Sequence, residues 1–345
     1  MAERMSPKER VLAALRGEAL DRPPISFWGH VFHRESSAHD LAEATLEGWR
    51  TYGWDFVKLN PRASYHAETW GTAVRFTGAP HDKPQRVAYP VRSVGDWNAI
   101  AERGPGVPAL AEQLEAIRLV RRGLPPDVPL LETVFSPLAI AADLAESPET
   151  VLAHLREDEA TVLGALEAIT ETFRGFAHAA LANGADGLFF ATVEWGSRDL
   201  VSPAQHARYA RPFDLAVLEA ARGAAFNVLH VCRRNNRLGE LADYPVHAFS
   251  WDATGPGNPD LAAGLRAVPG AVMGGIGPEG ALQAADPSAV LEQLEAGFAQ
   301  TGGRRWIVAP GCVVPPTTPP ENLSAIRRAL ADRETDGPQP PRART

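Results

Sequence analysis

The chain has 345 residues, 45% of them hydrophobic, with a formal net charge of -8 and a pI near 5.7. That is enough apolar material for a substantial core, and α/β barrels routinely use this much chain as one domain. The acidic balance, without a basic stripe, argues against a nucleic-acid partner. No run approaches the roughly 18 apolar residues of a membrane-spanning helix. The charged opening, Met1 to Arg10, lacks the apolar stretch of a secretory signal. A cytoplasmic protein is expected, in a compartment where thiols stay reduced.

Strand and helix signals then alternate along the chain. Ser6-Pro7-Lys8-Glu9 is a capping box with Pro at the first helical position. Strands are expected at 24–29 and 55–60. The stretch 62–124 is long for one connection and reads as an insertion after the second strand, with a helix over 94–122. Further strands follow at 129–135, 187–194, 226–232, 248–253, 271–276 and 305–309. Helices over 162–181 and 203–222 carry apolar residues at helical spacing. Ser147-Pro148, Ser202-Pro203, Asn258-Pro259, Asp286-Pro287 and Thr318-Pro319 mark helix starts. Residues 333–345 are polar and proline-rich, and a disordered tail is expected there.

Alternating β and α units imply a parallel sheet. Eight strands favour closure into a (β/α)8 TIM barrel, a single domain over residues 1–332. An open doubly wound sheet is the alternative. No G-x-G-x-x-G follows the first strand, which weakens a dinucleotide-binding reading.

The two cysteines are the strongest functional signal. In a strand, residues two apart share a face, so His230 and Cys232 project together. Cys312 follows the last strand. In a barrel the strand ends share one rim, which would bring Cys312 to His230 and Cys232. One imidazole and two thiolates form a zinc-ligand set, and a fourth position left to a weak ligand or substrate suits catalysis. The competing reading is two small buried cysteines and a satisfied core histidine.

Other residues fall near strand ends. Glu132 and Glu194 are candidate catalytic carboxylates, and either of them or Glu68 could be a fourth ligand or a proton acceptor. Asp252 is a third, to orient His230 or contact substrate. His66, Glu68 and Trp251 are candidate substrate contacts, and Trp28 and Trp195 could line an apolar pocket. His30, His33 and His66 are alternative metal ligands or proton shuttles. Gly274-Gly-Ile-Gly277 reads as a tight turn or an anion cradle.

Ser6-Pro-Lys-Glu-Arg-Val-Leu-Ala-Ala-Leu-Arg-Gly-Glu, followed by Asp21-Arg-Pro-Pro-Ile, resembles the opening of the uroporphyrinogen decarboxylase superfamily. Tyr52-Gly-Trp-Asp-Phe-Val-Lys-Leu-Asn-Pro-Arg62 is similar to its second strand. Gly184-Ala-Asp-Gly-Leu-Phe-Phe and Leu200-Val-Ser-Pro resemble its middle, and Pro310-Gly-Cys-Val-Val-Pro-Pro its end. The likeness spans about 6–332 and implies a (β/α)8 barrel. True decarboxylases of the superfamily carry an arginine-rich loop after the first strand, an acidic residue after the second and a G-H-G-type motif near the end. This chain has Trp28-Gly-His-Val-Phe-His-Arg34, Asn60-Pro-Arg62 and Gly311-Cys312 instead.

The resemblance is closer to the zinc-dependent corrinoid:coenzyme M-type methyltransferases, whose zinc sits on H-x-C and a distant Cys. His230, Cys232 and Cys312 match those positions. That branch implies zinc, a methyl-corrinoid delivered by a partner protein, and a thiol or related acceptor. The chain lacks the cobalamin-protein motif D-x-H-x-x-G, so the corrinoid would arrive with the partner. The alternatives are a tetrapyrrole decarboxylase and a non-catalytic corrinoid- or tetrapyrrole-binding protein.

Overall fold

The computed structural model describes residues 4–336. Its centre is a seven-stranded parallel sheet. In chain order the strands are β1 (Val57–Leu59), β4 (Leu130–Phe135), β5 (Gly187–Ala191), β6 (Val228–His230), β7 (Ala248–Ser250), β8 (Ala271–Ile276) and β9 (Trp306–Pro310). A separate antiparallel hairpin joins β2 (Ala73–Arg75) to β3 (Gln85–Ala88). Each sheet strand pairs with the next in sequence, as right-handed β-α-β connections dictate.

Seven of the eight expected strands form as such. Residues 24–29 make isolated bridges instead, Ile25 with Val308 and Gly29 with Val314. Pro23 and Pro24 lack the N–H groups a full ladder would use. This segment still touches both edges of the curled sheet. Val308 N–H donates to the Pro24 carbonyl at 2.8 Å, and Asp55 N–H donates to the Ile25 carbonyl at 2.9 Å.

The helices are α1 (Pro7–Arg16), α2 (Ala38–Tyr52), α3 (Tyr65–Glu68), α4 (Pro108–Gly123), α5 (Pro137–Leu144), α6 (Pro148–Glu157) and α7 (Glu159–Ala182). They continue as α8 (Pro203–Tyr209), α9 (Arg211–Glu219), α10 (Leu261–Ala267), α11 (Ser288–Thr301) and α12 (Pro320–Asp336). Proline grammar set their starts: Ser6, Ser147 and Ser202 accept from the backbone N–H three residues on, with Pro at the first helical position. Among the described residues, no helix is long and apolar enough to cross a membrane.

Three expected elements differ. The helix expected over 94–122 is a 3-10 turn at Val94–Ala99 followed by α4. Gly104-Pro105-Gly106 separates them, because neither residue type supports helix continuity. The helix expected over 203–222 is two helices, broken at Arg211-Pro212 for the same reason. Residues 333–336, expected in the tail, belong to α12, where Glu334 lies within ion-pair distance of Arg22 at 3.2 Å. The rest of that tail lies outside the described residues.

The sheet buries both faces, and strand alternation sorts them. One parity packs against the helices: Leu130, Leu188, Leu229, Phe249 and Val308. The other fills the inside of the curl: Leu131, Phe189, Val228, Ala248 and Ile307, joined by Val11 and Ala14 of α1. α1 thus plugs one end, and the C-terminal ends of the strands are left to form a cavity.

Candidate functional site

The cavity has a volume of about 1090 Å³ and opens at the C-terminal strand ends. His230, Cys232 and Cys312 all line it. The inward parity of β6 continues from Val228 through His230 to Cys232. Thr192 fixes that strand end. Its hydroxyl donates to the His230 carbonyl at 3.0 Å and accepts from Cys232 N–H at 3.4 Å. Two glycines permit the close approach. A Cβ at Gly196 would meet the Cys232 backbone N at 3.0 Å, and one at Gly311 would meet Asp252 at 2.7 Å.

The two cysteines are free thiols, each half-buried. They stand side by side. The Cys232 thiol, aided by His230, draws Cys312 well below the ordinary thiol range despite burial. The Cys312 thiol and burial push Cys232 upward. His230 is buried, and its Nδ1 lies 3.1 Å from the Ser250 hydroxyl. That contact leaves Nε2 available, as expected for a ligand whose ring is held from its other nitrogen. The donor set therefore fits a soft divalent ion. His230, Cys232 and Cys312 are not among the sets whose ligand atoms all lie within 4.8 Å of one another. Among the described residues the set that does meet that distance is His39, Asp40 and Glu43, which are exposed on α2.

Of the six other candidate catalytic and substrate-binding residues, two face the cavity. Glu194 lines it and pairs with Arg233. Asp252 lines it too, but its Oδ1 accepts from the Thr254 N–H at 3.0 Å and hydroxyl at 2.7 Å. It caps its own turn, and Ser250 rather than Asp252 holds His230.

Four are elsewhere, each for a physical reason. Glu132 has the parity that faces the helices, where Gln113 of α4 donates to its Oε2 at 3.3 Å. Its other oxygen has no partner, and burial raises its pKa well above the carboxylate range. Trp251 also points outward, its indole N–H donating to the Pro259 carbonyl at 2.7 Å. His66 is buried against Asp143, with Nε2 2.7 Å from Oδ2. Glu68 holds Arg62 through two contacts of 2.8 and 2.9 Å. None of the four borders the cavity. Trp28 does border it, whereas Trp195 is sealed in the core and His33 is exposed on the surface. At Gly274 a Cβ would strike the Trp251 carbonyl at 2.6 Å, which marks a tight turn.

Sequence reasoning missed two residues. Lys58 projects into the cavity from β1, its Nζ 2.5 Å from Asn60 Oδ1 and 4.7 Å from the Phe189 ring centroid. Burial pushes it down to about 8, against the pull of Cys312, Glu132, Cys232 and Glu35. Among the described residues no carboxylate forms an ion pair with it. Ser250 is the other, directly across the ladder from His230. The signal for both was strand parity. Lys58 stands at the inward position of an otherwise apolar strand, and Ser250 shares its face with Asp252.

A curled parallel sheet around a floor plug, with a cavity at the strand ends holding one histidine and two thiols, defines an α/β enzyme-type scaffold with a candidate metal centre. The family model "Uroporphyrinogen decarboxylase (URO-D)" matches residues 6–332, and the chain belongs to that family. "Methylcobamide:CoM methyltransferase MtaA" of Methanosarcina barkeri is 26% identical over 340 residues, covering 92% of this chain and 96% of its own. "Uroporphyrinogen decarboxylase" of Thermus thermophilus is 26% identical over 342 residues, covering 92% and 95%. Among solved structures, a methyltransferase from Methanosarcina mazei superposes with a TM-score of 0.80 at 22% identity, covering 96% of this chain and 99% of that one. This last likeness concerns the fold alone.

Proposed function

We propose that the protein is a zinc-dependent methyltransferase that moves a methyl group from a methyl-corrinoid, carried by a partner protein, to a thiol or related acceptor. The observation that carries this reading is the meeting of His230, Cys232 and Cys312 in one cavity from positions 80 residues apart in the chain. The relatives named methyltransferases support it. In this reading residues 24–29 serve as the eighth stave of a (β/α)8 barrel, and 62–124 form the insertion after the second strand.

His230, Cys232 and Cys312 would hold the ion. Bound zinc lowers the pKa of a thiol that joins it, so that a thiolate nucleophile exists at neutral pH. The protein's own residues do the rest. Ser250 holds the His230 ring by its Nδ1 side. Trp28 and Phe189 supply flat apolar wall, Trp28 within the cavity lining and Phe189 tilted 30° against His230. Glu194 stands at the mouth beside Arg233.

The decarboxylase alternative meets an electrostatic difficulty. A porphyrinogen with eight carboxylates needs several cationic partners. Arg62 is committed to Glu68 and Glu112, and Arg34 to Glu43 and Glu47, and neither lines the cavity. The cations that do line it, Lys58, Lys83, Arg233 and Arg234, share it with Glu149, Glu194, Asp199, Asp252 and Glu279.

Metal analysis after dialysis tests the proposal. Close to one zinc per chain is expected, falling toward none in Cys232→Ser and Cys312→Ser. The zinc-loaded protein should demethylate methylcobalamin in the presence of a thiol. A folded, metal-free protein that converts uroporphyrinogen to coproporphyrinogen would replace this reading. A visible-absorbance shift with a corrinoid but no turnover would mark a binding protein.

A further inference from the structure

Among the described residues three histidines pair with carboxylates: His39 does so in the open on α2, while His66 and His30 are held at hydrogen-bond distance, and of these two His30 borders the cavity. His66 is sealed in the wall, and its partner Asp143 is shared with Arg86. His30 lines the cavity that also contains His230, Cys232 and Cys312. Its Nδ1 lies 2.9 and 3.0 Å from the two oxygens of Glu35. Glu35 is 2% exposed and also accepts from the Val31 N–H at 2.8 Å. The carboxylate is thus built to hold one edge of one imidazole. The ring is held a second time by Phe32, stacked at 4.8 Å and 11°. With Nδ1 engaged, Nε2 is the nitrogen left to face the cavity.

A buried carboxylate on one ring nitrogen fixes the tautomer, makes the other nitrogen a base and offsets the charge of the imidazolium that forms. The chemistry proposed above creates a need for such a base, because a thiol must lose its proton before it can take a methyl group. We infer that His30 is the proton acceptor for the incoming thiol, and that Glu35 is its positioning residue. This assignment rests on the reading of the protein as a thiol methyltransferase. In the step, the S–H bond breaks and its electron pair stays on sulfur. The proton passes to Nε2 of His30, directly or across one water. The Nδ1–H stays on the ring and keeps donating to Glu35.

Lys58 lines the cavity with His30. Arg62 donates to the Glu35 carbonyl at 3.2 Å. On the α2 side, Arg34 is occupied by Glu43 and Glu47.

Two readouts test the assignment without relying on turnover. In the metal-free protein, nitrogen-15 NMR should find His30 as the Nδ1–H tautomer, and Glu35→Gln should lose that fixed state. In the zinc-loaded protein, calorimetry with 2-mercaptoethanol in buffers of different ionisation enthalpy counts protons released per thiol bound. Near neutral pH the wild type should release clearly less than one, because His30 keeps the proton. His30→Gln should release one, and Glu35→Gln should fall between. A loss of methyl transfer on the order of 10²-fold should accompany His30→Gln, with zinc content unchanged. Equal proton counts in wild type and His30→Gln, with thiol binding intact, would overturn this assignment alone. A zinc-loaded wild type that binds no thiol would overturn both the assignment and the reading beneath it.

Discussion

The two ends of the sheet treat charge in opposite ways. At the floor, Arg10, Arg22 and Asp55 are all buried, and each is matched. Asp55 accepts from Arg10 at 2.6 Å, from Arg22 at 2.6 and 3.0 Å and from the Ile25 N–H at 2.8 Å. Asp21 takes the remaining face of Arg10 at 2.7 and 2.5 Å. At the mouth, Lys58 is equally buried but holds a neutral amide, the thiols face a cavity, and His30 keeps one nitrogen free. A closed network serves stability, because nothing in it needs a further partner. Unmatched polar groups lose stability unless a ligand completes them. In (β/α)8 barrels the C-terminal strand ends carry function and the opposite face carries stability, and the curled sheet here divides its charges along the same line.

The largest expected effect is at the floor. Asp55→Ala leaves Arg10 with Asp21 and Arg22 with Glu334, each short of one buried partner, and breaking a buried pair in this way costs about 3–5 kcal/mol. Chemical denaturation should register it, and a protein destabilised by less than about 1 kcal/mol would erase the contrast between the two ends.

Asp214 sharpens the comparison because it belongs to neither end. It is buried in α9, with the Tyr244 hydroxyl donating to it at 3.0 Å, and burial raises its pKa to about 7. Its folded value lies above the unfolded one, so the folded state binds the extra proton between about pH 4 and 7. Its stabilising contribution is full below that window and falls as pH rises through it, by up to about 1.4 kcal/mol per unit. Asp214→Asn should flatten that slope in denaturation measured across pH 4 to 7.

Back at the mouth, Ser250→Ala should weaken zinc binding by about 10–100-fold while leaving the fold intact, because it frees the His230 ring. Competition with a chromogenic chelator would measure this, and unchanged affinity would remove Ser250 from the site. The smallest effect is expected at Glu132→Gln. Glu132 lies outside the cavity and burial favours its protonated form. Methyl transfer should stay within about twofold of wild type, and a collapse comparable to the 10²–10⁴ of a lost acid–base group would restore the residue to the chemistry.

Alternation alone was enough to pair His230 with Cys232, because a two-residue period admits no other outcome in a strand. The same period would have turned Trp251 and Glu132 toward the helices, had the strand starts been anchored to an inward residue. Proline and serine grammar located most helix starts, since those rules are local. It joined α8 to α9 across Pro212 because helical hydrophobic spacing continued through the break.

Local order, then, determined the β-α alternation, the H-x-C pair and the helix caps, since each depends on neighbours a few residues apart. Only the tertiary structure decided that Cys312 stands beside Cys232, that Ser250 rather than Asp252 supports His230, and that His30 faces the cavity while His66 does not. Those outcomes depend on how the sheet curls and which strand ends meet. Curvature is a property of the whole sheet and is not encoded at any single position.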